Sequence, residues 1–168
     1  MRKMTTSKAG ISLITHFEGC KLTAYKPVAT EKHYTIGYGH YGADVTKGMK
    51  ITQEQAEDLL KKDIAPIEKL LNGLNVNFRQ HQFDALVSWI FNLGAGNFNG
   101  STMKKYIVAD KDDLDITDEM VKWKKAGGQV LTGLVKRRAE EANMFLGKII
   151  YECVGDKAVR NDNHLIIL

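Results

Sequence analysis

The 168-residue chain has only two cysteines, Cys20 and Cys153, and only two prolines, Pro27 and Pro66. Two cysteines cannot build a disulfide framework, and neither stands at a metal-ligand spacing. Two reduced thiols are the simplest expectation, with a Cys20–Cys153 bridge left open. The sequence has no internal repeat, no low-complexity segment and no Pro/Ser-rich linker, so one folding unit with two lobes is expected. It also lacks a long apolar run. The basic start is followed by Ile11, Leu13 and Ile14, but Ser7, Thr15, His16 and Glu18 interrupt it, which argues against a signal peptide or a membrane anchor. Basic residues do not cluster and no nucleic-acid-binding motif stands out, so no nucleic-acid partner is expected. His16, His81 and His164 are scattered and form no ligand set with cysteines or carboxylates, so no metal or other cofactor is expected.

What is present is ordinary globular composition. Hydrophobic residues make up 43% and charged residues 26%, enough to bury a real core at this length. The formal net charge of +4 favours approach to an acidic polymer without choosing among bacterial wall, nucleic acid and membrane surface.

Along the chain, Thr5, Thr6 or Ser7 can cap a first helix whose apolar positions Ile11, Ile14 and Phe17 keep helical spacing. Gly19 is the expected stop, which leaves Glu18 in the last turn. Lys21–Lys26 alternates, His33–Tyr38 is rich in aromatic and β-branched residues, and 27–32 supplies the turn between them. Gly37, Gly39 and Gly42 punctuate a third, loop-rich segment. Such a small antiparallel sheet needs something larger to pack against.

The rest reads as helical. Thr52 with Gln55 forms a capping box before a long amphipathic run, in which Pro66 predicts a kink or break near 63–65. The segment 82–93 is apolar on most faces and is the expected buried centre. Ser101 can cap another helix, and Thr117 one that runs through Trp123. Leu134–Leu146, stopped by Gly147, is the last. Asp110–Asp115 reads as a solvated acidic loop, Trp89 and Trp123 as core residues. After Gly147 the composition changes: a Gly-Asp turn signal and an apolar end suggest an extra hairpin or strand on the body. The expected division is therefore 1–147 as the main domain and 148–168 as a C-terminal extension packed on it.

Glu18 carries the chemistry. At a helix C-terminus the dipole disfavours a carboxylate's charged form, which suits a general acid. A solvated glutamate before a glycine is the bland alternative, and the sheet that follows is what argues against it. Four ordered segments then match a known pattern: Phe17-Glu18-Gly19 with Leu22, Ala24 and Tyr25; Tyr34-Thr35-Ile36-Gly37-Tyr38-Gly39-His40; Phe91-Asn92-Leu93-Gly94 with Gly96-Asn97-Phe98, Ser101 and Thr102; and Trp123–Leu146 with Arg137-Arg138. Over about residues 5–147 the chain resembles the bacteriophage-type lysozymes, the glycoside hydrolase family 24 endolysins.

The resemblance implies an α+β, mainly α, lysozyme-like two-lobe fold, with a small antiparallel sheet lobe and a helical lobe flanking a cleft. It implies cleavage of the β-1,4 bond between N-acetylmuramic acid and N-acetylglucosamine in peptidoglycan, for host lysis. By the same resemblance Glu18 is the general acid and Thr35 holds the attacking water or the substrate. The protein is expected to be monomeric, without stable membrane insertion, and held in the host cytoplasm until released to the wall.

The pattern departs at its middle residue, an Asp or Cys in the family. Counting forward from Glu18 this position falls on Pro27, and counting back from Thr35 on Ala29, because the turn is two residues longer. Neither can act as base or nucleophile. Glu31 is the carboxylate within the turn and is taken as the candidate second catalytic group; a solvated turn residue, or an ion pair with Arg137 or Arg138, is its alternative. A lytic transglycosylase using Glu18 alone and a non-catalytic peptidoglycan-binding protein remain the competing functions. Asn92, Asn97 and Phe98 are the expected substrate-binding residues, although the two asparagines suit helix caps equally well. His40 is expected to pair with a nearby carboxylate such as Asp63.

Overall fold

The computed structural model describes residues 2–161 and the backbone of Ile166–Ile167. His164 and the apolar side chains of the extreme C-terminus fall outside it.

Ser7 opens the first helix, α1 (Lys8–Glu18), with its hydroxyl accepting from the Gly10 N–H. Its own N–H and hydroxyl both donate to the buried carboxylate of Asp84, which ties the start of the chain to the centre of the body. Gly10 faces the same carboxylate. A β-carbon there would stand 2.7 Å from a Thr6 methyl and 2.8 Å from the Asp84 carboxyl carbon. Neither can retreat: Thr6 donates to Glu68 and Asp84 also accepts from Gln80. Gly10→Ala is therefore expected to destabilise the fold by about 1–3 kcal/mol, against a helix-propensity gain of about 1 kcal/mol. Denaturant unfolding checks it, and a more stable variant would contradict this packing.

Three short strands follow: β1 (Lys21–Tyr25), β2 (Tyr34–Gly37) and β3 (His40–Gly42), antiparallel in that order. The free edge of β1 is closed by 49–51, with Ala24 N–H donating to Met49 O and Ile51 N–H to Leu22 O, both at 2.9 Å. Ile36 is fully buried, and Gly37 lies against Ala56, so the sheet rests on the next helix.

That helix, α2 (Gln53–Asn72), begins at the capping box of Thr52 and Gln55. It does not break at Pro66. Leu60 and Ile64 before the proline and Ile67 and Leu71 after it are all buried on one face, and this packing outweighs the one backbone hydrogen bond that proline removes. Next comes α3 (Gln80–Leu93), buried along Gln82–Ile90 and packed by α1, α2 and the last helix. Trp89 sits fully buried within it, its ring edge-to-face with Phe98 and Trp123.

The chain continues through α4 (Ala95–Gly100), α5 (Thr102–Val108, capped by Ser101) and α6 (Asp113–Met120). Here two expectations are corrected. Asp112, not Thr117, caps α6, accepting from Leu114 N–H at 2.9 Å, and the helix ends before Trp123. Asp113 and Asp115 belong to its first turn rather than to a loop, where the positive end of the helix dipole favours acidic side chains. Thr117 is buried inside the helix, bonded to Asp113 O and to the Tyr151 hydroxyl.

A two-residue ladder, β4 (Lys125–Ala126) with β5 (Gln129–Val130), turns at Gly127 and Gly128 and leads into α7 (Thr132–Leu146), which Gly147 ends in the left-handed region. Beyond it, β6 (Lys148–Ile149) pairs with β9 (Ile166–Ile167), and β7 (Tyr151–Val154) with β8 (Lys157–Arg160) around a turn at Gly155. Asn143 on α7 fastens this hairpin: its amide accepts from the Ile150 and Tyr151 N–H groups and donates to Tyr151 O. The Tyr151 hydroxyl donates to Asp118, and burial followed by that hydrogen bond pushes the phenol well above its ordinary pKa. Cys20 and Cys153 are both free and exposed.

Candidate active site

Glu18 is the last residue of α1, and Gly19, at φ +66°, turns the chain away so that the carboxylate faces a cleft of about 420 Å³. The sheet side of this cleft is Gly39, His40 and Tyr41. The body side comes from Asp63 and Ile67 of α2, Ile90–Asn92 of α3, and Gly94 and Ala95 beyond it. Gly39 passes close over the acid: a β-carbon there would stand 3.7 Å from Glu18 Oε2. Its φ of +84° is one that side-chain-bearing residues rarely adopt.

Arg137 of α7 donates to Glu18 Oε1. The guanidinium is itself held on three more sides, by Glu141 Oε1 at 3.1 Å, by Ser88 O at 3.2 Å, and by the Phe17 ring under its plane. Glu141 is fully buried and accepts from Ser88 Oγ at 2.7 Å and Arg138 Nη2 at 2.9 Å. Glu18, Arg137, Glu141 and Arg138 thus form one chain running from the cleft into the core, neutral when Glu18 is ionised and singly positive when Glu18 carries the proton of a general acid. Such a chain fixes the Glu18 side chain, because moving it would strip a charge partner from a buried arginine. In the sequence, an ion pair with Arg137 or Arg138 is one alternative for Glu31; in the structure Arg137 pairs with Glu18 and Glu141, and Arg138 with Glu141. The usable signal was the spacing, since Arg137, Arg138 and Glu141 at i, i+4 and i, i+3 share one helix face.

His40 is clasped as expected. Its Nδ1 lies 2.9 Å from Asp63 and its Nε2 2.9 Å from Asp44. Burial by itself would lower the His40 pKa, but the hydrogen bonds and charges of Asp44 and Asp63 outweigh it, and the net shift is upward; Asp44 is lowered chiefly by its hydrogen bond to His40. The signs set a window. The histidine's contribution is complete below the reference value of 6.5 and is lost as pH rises through its raised folded pKa. The aspartate's is present above 3.8 and is lost as pH falls through its lowered one. Melting temperatures of the protein and of His40→Asn should therefore differ most at about pH 5–6 and draw together as pH rises through the raised histidine value. A difference that stays flat across the range would contradict the arrangement.

The other expected residues fall in several places. Thr35 is buried on the central strand, directly across from Tyr41, and shares that residue's face of the sheet. Glu31 is half-buried in the long turn, its N–H on Val28 O and its Oε2 enclosed without a hydrogen-bond partner. It is not among the residues that line the cleft. Asn92 does line it, with its Oδ1 enclosed and unpartnered. Asn97 donates to Leu93 O at 2.7 Å and so closes the end of α3. Phe98 is fully buried against Trp89, so its ring is a core element and offers no face to a substrate, contrary to expectation. Among the described residues, no three His, Cys, Asp or Glu side chains gather at metal-binding distance.

The family model for phage lysozyme matches residues 15–141. The chain belongs to the phage lysozyme family. It is 49% identical over 143 residues to the endolysin of Bacillus phage PZA and 48% identical over 147 residues to that of Bacillus phage B103. These matches cover 84% and 85% of this chain but 55% and 54% of those proteins, so it spans about half the length of these two relatives. The endolysin of Salmonella phage P22 is 38% identical, covering 85% of this chain and 99% of that one. Among solved structures, the muramidase domain of SpmX from Asticaccaulis excentricus aligns with a TM-score of 0.77 at 35% identity, covering 84% of this chain and 97% of that one. A mutant of P22 lysozyme aligns at 0.74 and 35%, covering 85% and 99%. As a phage lysozyme the chain has the α+β, mainly α architecture that the sequence implied.

Proposed function

We propose that this member of the phage lysozyme family cleaves the β-1,4 bond between N-acetylmuramic acid and N-acetylglucosamine in peptidoglycan, with Glu18 protonating the leaving oxygen. One observation carries the reading: among the described residues, the only cleft carboxylate not tied to a histidine is Glu18, held in place by the buried chain through Arg137. A general acid must meet its oxygen at a fixed position, and a side chain anchored through Arg137 to a buried network needs little ordering at each turnover. The relatives named endolysin and the muramidase domain named above support the substrate class.

Glu31 is assigned to activating water, a role that requires the long turn to carry its carboxylate toward the cleft, which it does not line here. Thr35, paired directly across from Tyr41, is assigned to holding that water through its hydroxyl, which both donates and accepts. The division into residues 1–147 for catalysis and 148–168 as an extension belongs to the same reading, as do a monomeric state, action on the wall after release from the host cytoplasm, and host lysis.

A second reading has its own support. Asp63, the other cleft carboxylate, is engaged by His40, and an enzyme with one free acid can let a substrate hydroxyl attack internally. Digesting purified peptidoglycan and weighing the fragments decides between them. Hydrolysis adds one water and leaves reducing ends, whereas transglycosylation adds none and leaves anhydro ends. Sedimentation with the wall and no fragment release would leave only a binding module and overturn both.

A further inference from the structure

Away from the cleft, the start of the chain and the connection between α2 and α3 enclose two adjoining hollows of about 190 and 320 Å³. They share Arg2, Lys3, Met4, Asn77 and Phe78, and neither shares a residue with the cleft. The two sites lie at opposite ends of α3. Gln80 at its start lines a hollow and Ile90 near its end lines the cleft, about 15 Å apart at the helical rise per residue.

The walls of the hollows are held in place. Met4 N–H donates to Asn72 Oδ1 at 2.8 Å, and Asn72 Nδ2 returns a bond to Met4 O at 2.9 Å. Thr6 N–H donates to Glu68 at 2.7 Å and Gln80 Nε2 to Thr5 O at 2.9 Å. The facing connection turns through Asn75 at φ +56°, a left-handed conformation that asparagine tolerates better than most residues. Met4, Val76 and Phe78 are half-buried and supply the apolar part of the lining.

The polar part is uncommitted. Arg2, Lys3, Asn75 and Asn77 are exposed, and among the described residues none of these four side chains has a hydrogen bond or an ion pair. No described carboxylate lines either hollow. The acids of the flanking helices are engaged elsewhere, Glu68 by Thr6 and Asp84 by Ser7 and Gln80. Folding thus sets two neighbouring cations and two amides around a concave surface without a counter-charge, which favours an anion there.

A chain that alternates phosphates with hydroxyls matches this set. Guanidinium and ammonium groups take phosphate oxygens, and a side-chain amide both donates and accepts, as a hydroxyl does. A nucleic acid fits less well. Base stacking needs an open aromatic face, and the one ring here, Phe78, packs edge-to-face on Phe83. A membrane surface fits less well too, because no exposed large hydrophobic side chain lies in either hollow. In many bacterial walls, polyol-phosphate chains are attached to the peptidoglycan itself.

We propose that the hollows bind a polyol-phosphate chain of the wall, with Arg2 and Lys3 on its phosphates and Asn75 and Asn77 on its hydroxyls, and so hold the protein on the wall while the cleft works. Only the choice of a wall polymer rests on the reading of the cleft as a peptidoglycan site; the anion site stands on the hollows.

The test is titration calorimetry of the whole protein with soluble poly(glycerol phosphate) at about 0.15 M salt. Arg2→Gln with Lys3→Gln should weaken binding roughly 5- to 20-fold, since each exposed charge contact contributes little. Asn77→Ala should weaken it about 2- to 5-fold, the effect of one hydrogen bond. Lys148→Gln with Lys157→Gln removes the same charge from the exposed C-terminal strands, and should change binding by less than about two-fold. Arg2, Lys3 and Asn77 have no partner to lose, so their variants should melt with the parent. They should also release fragments from polymer-free peptidoglycan at the parent's rate. Equal weakening by the two charge-removing pairs overturns the site, because net charge alone would then explain the binding. A polymer that does not bind at all overturns it too. The same holds if inorganic phosphate, an oligonucleotide or phosphatidylglycerol vesicles bind as tightly as the polymer. If the parent binds the polymer as expected yet releases no fragments from peptidoglycan, the cleft reading fails and the anion site stands.

Discussion

Replacing Glu18 with glutamine is expected to slow the release of peptidoglycan fragments by roughly 10²–10⁴-fold, the contribution of a positioned general acid. The substitution preserves shape. A glutamine carbonyl can still accept from Arg137, but its amide has no proton to give to a leaving oxygen. Arg137 keeps Glu141 Oε1 and Ser88 O as partners, so the buried guanidinium is not abandoned and the variant should fold. Rate and melting temperature must therefore be measured together. A large loss of rate in a folded protein supports the acid; a rate within about three-fold of the parent would remove Glu18 from the chemistry.

Much of this site could be read in the sequence because it is local. Glu18 before Gly19, the capping box at Thr52, the Ser101 cap and the His40–Asp63 pairing are all matters of a few residues' spacing or of one obvious charge complement. The misreadings have a common cause. Thr117 looks like a helix cap by type, yet the alternative cap Asp112 and the tertiary pull of Tyr151 decide the matter. Pro66 looks like a helix breaker, yet the buried stripe on both sides of it holds the helix together. Phe98 sits in a polar, glycine-rich segment and looked available to substrate, but the ring is drawn in against Trp89. Each depends on what another part of the chain brings. The pairing of Arg137 with Glu18, across 119 residues of sequence, is of the same kind: α1 and α7 both pack on α3, and only that shared neighbour brings the two charges together.

The buried end of the same network should dominate stability. Glu141 is fully enclosed and serves Arg137, Arg138 and Ser88 at once. Glu141→Ala leaves Arg138, itself fully buried, with only Trp123 O and the face of Trp89. Breaking a buried ion pair by removing one partner costs about 3–5 kcal/mol. At about 2–4 °C per kcal/mol for a chain of this size, the melting temperature should fall by roughly 6–20 °C. The size of that loss measures the abandoned charge and not the worth of the pair, and a second variant separates the two. Arg138→Met combined with Glu141→Leu removes one positive and one negative charge and refills the space with apolar groups. Arg137 then has Glu18 as its one carboxylate partner beside Ser88 O, and the net charge of the network is unchanged. The double variant should recover at least about half of the lost stability. If Glu141→Ala melts within about 2 °C of the parent, the arginines have found water or other partners. The rigid, dry anchor proposed for Glu18 would then not exist.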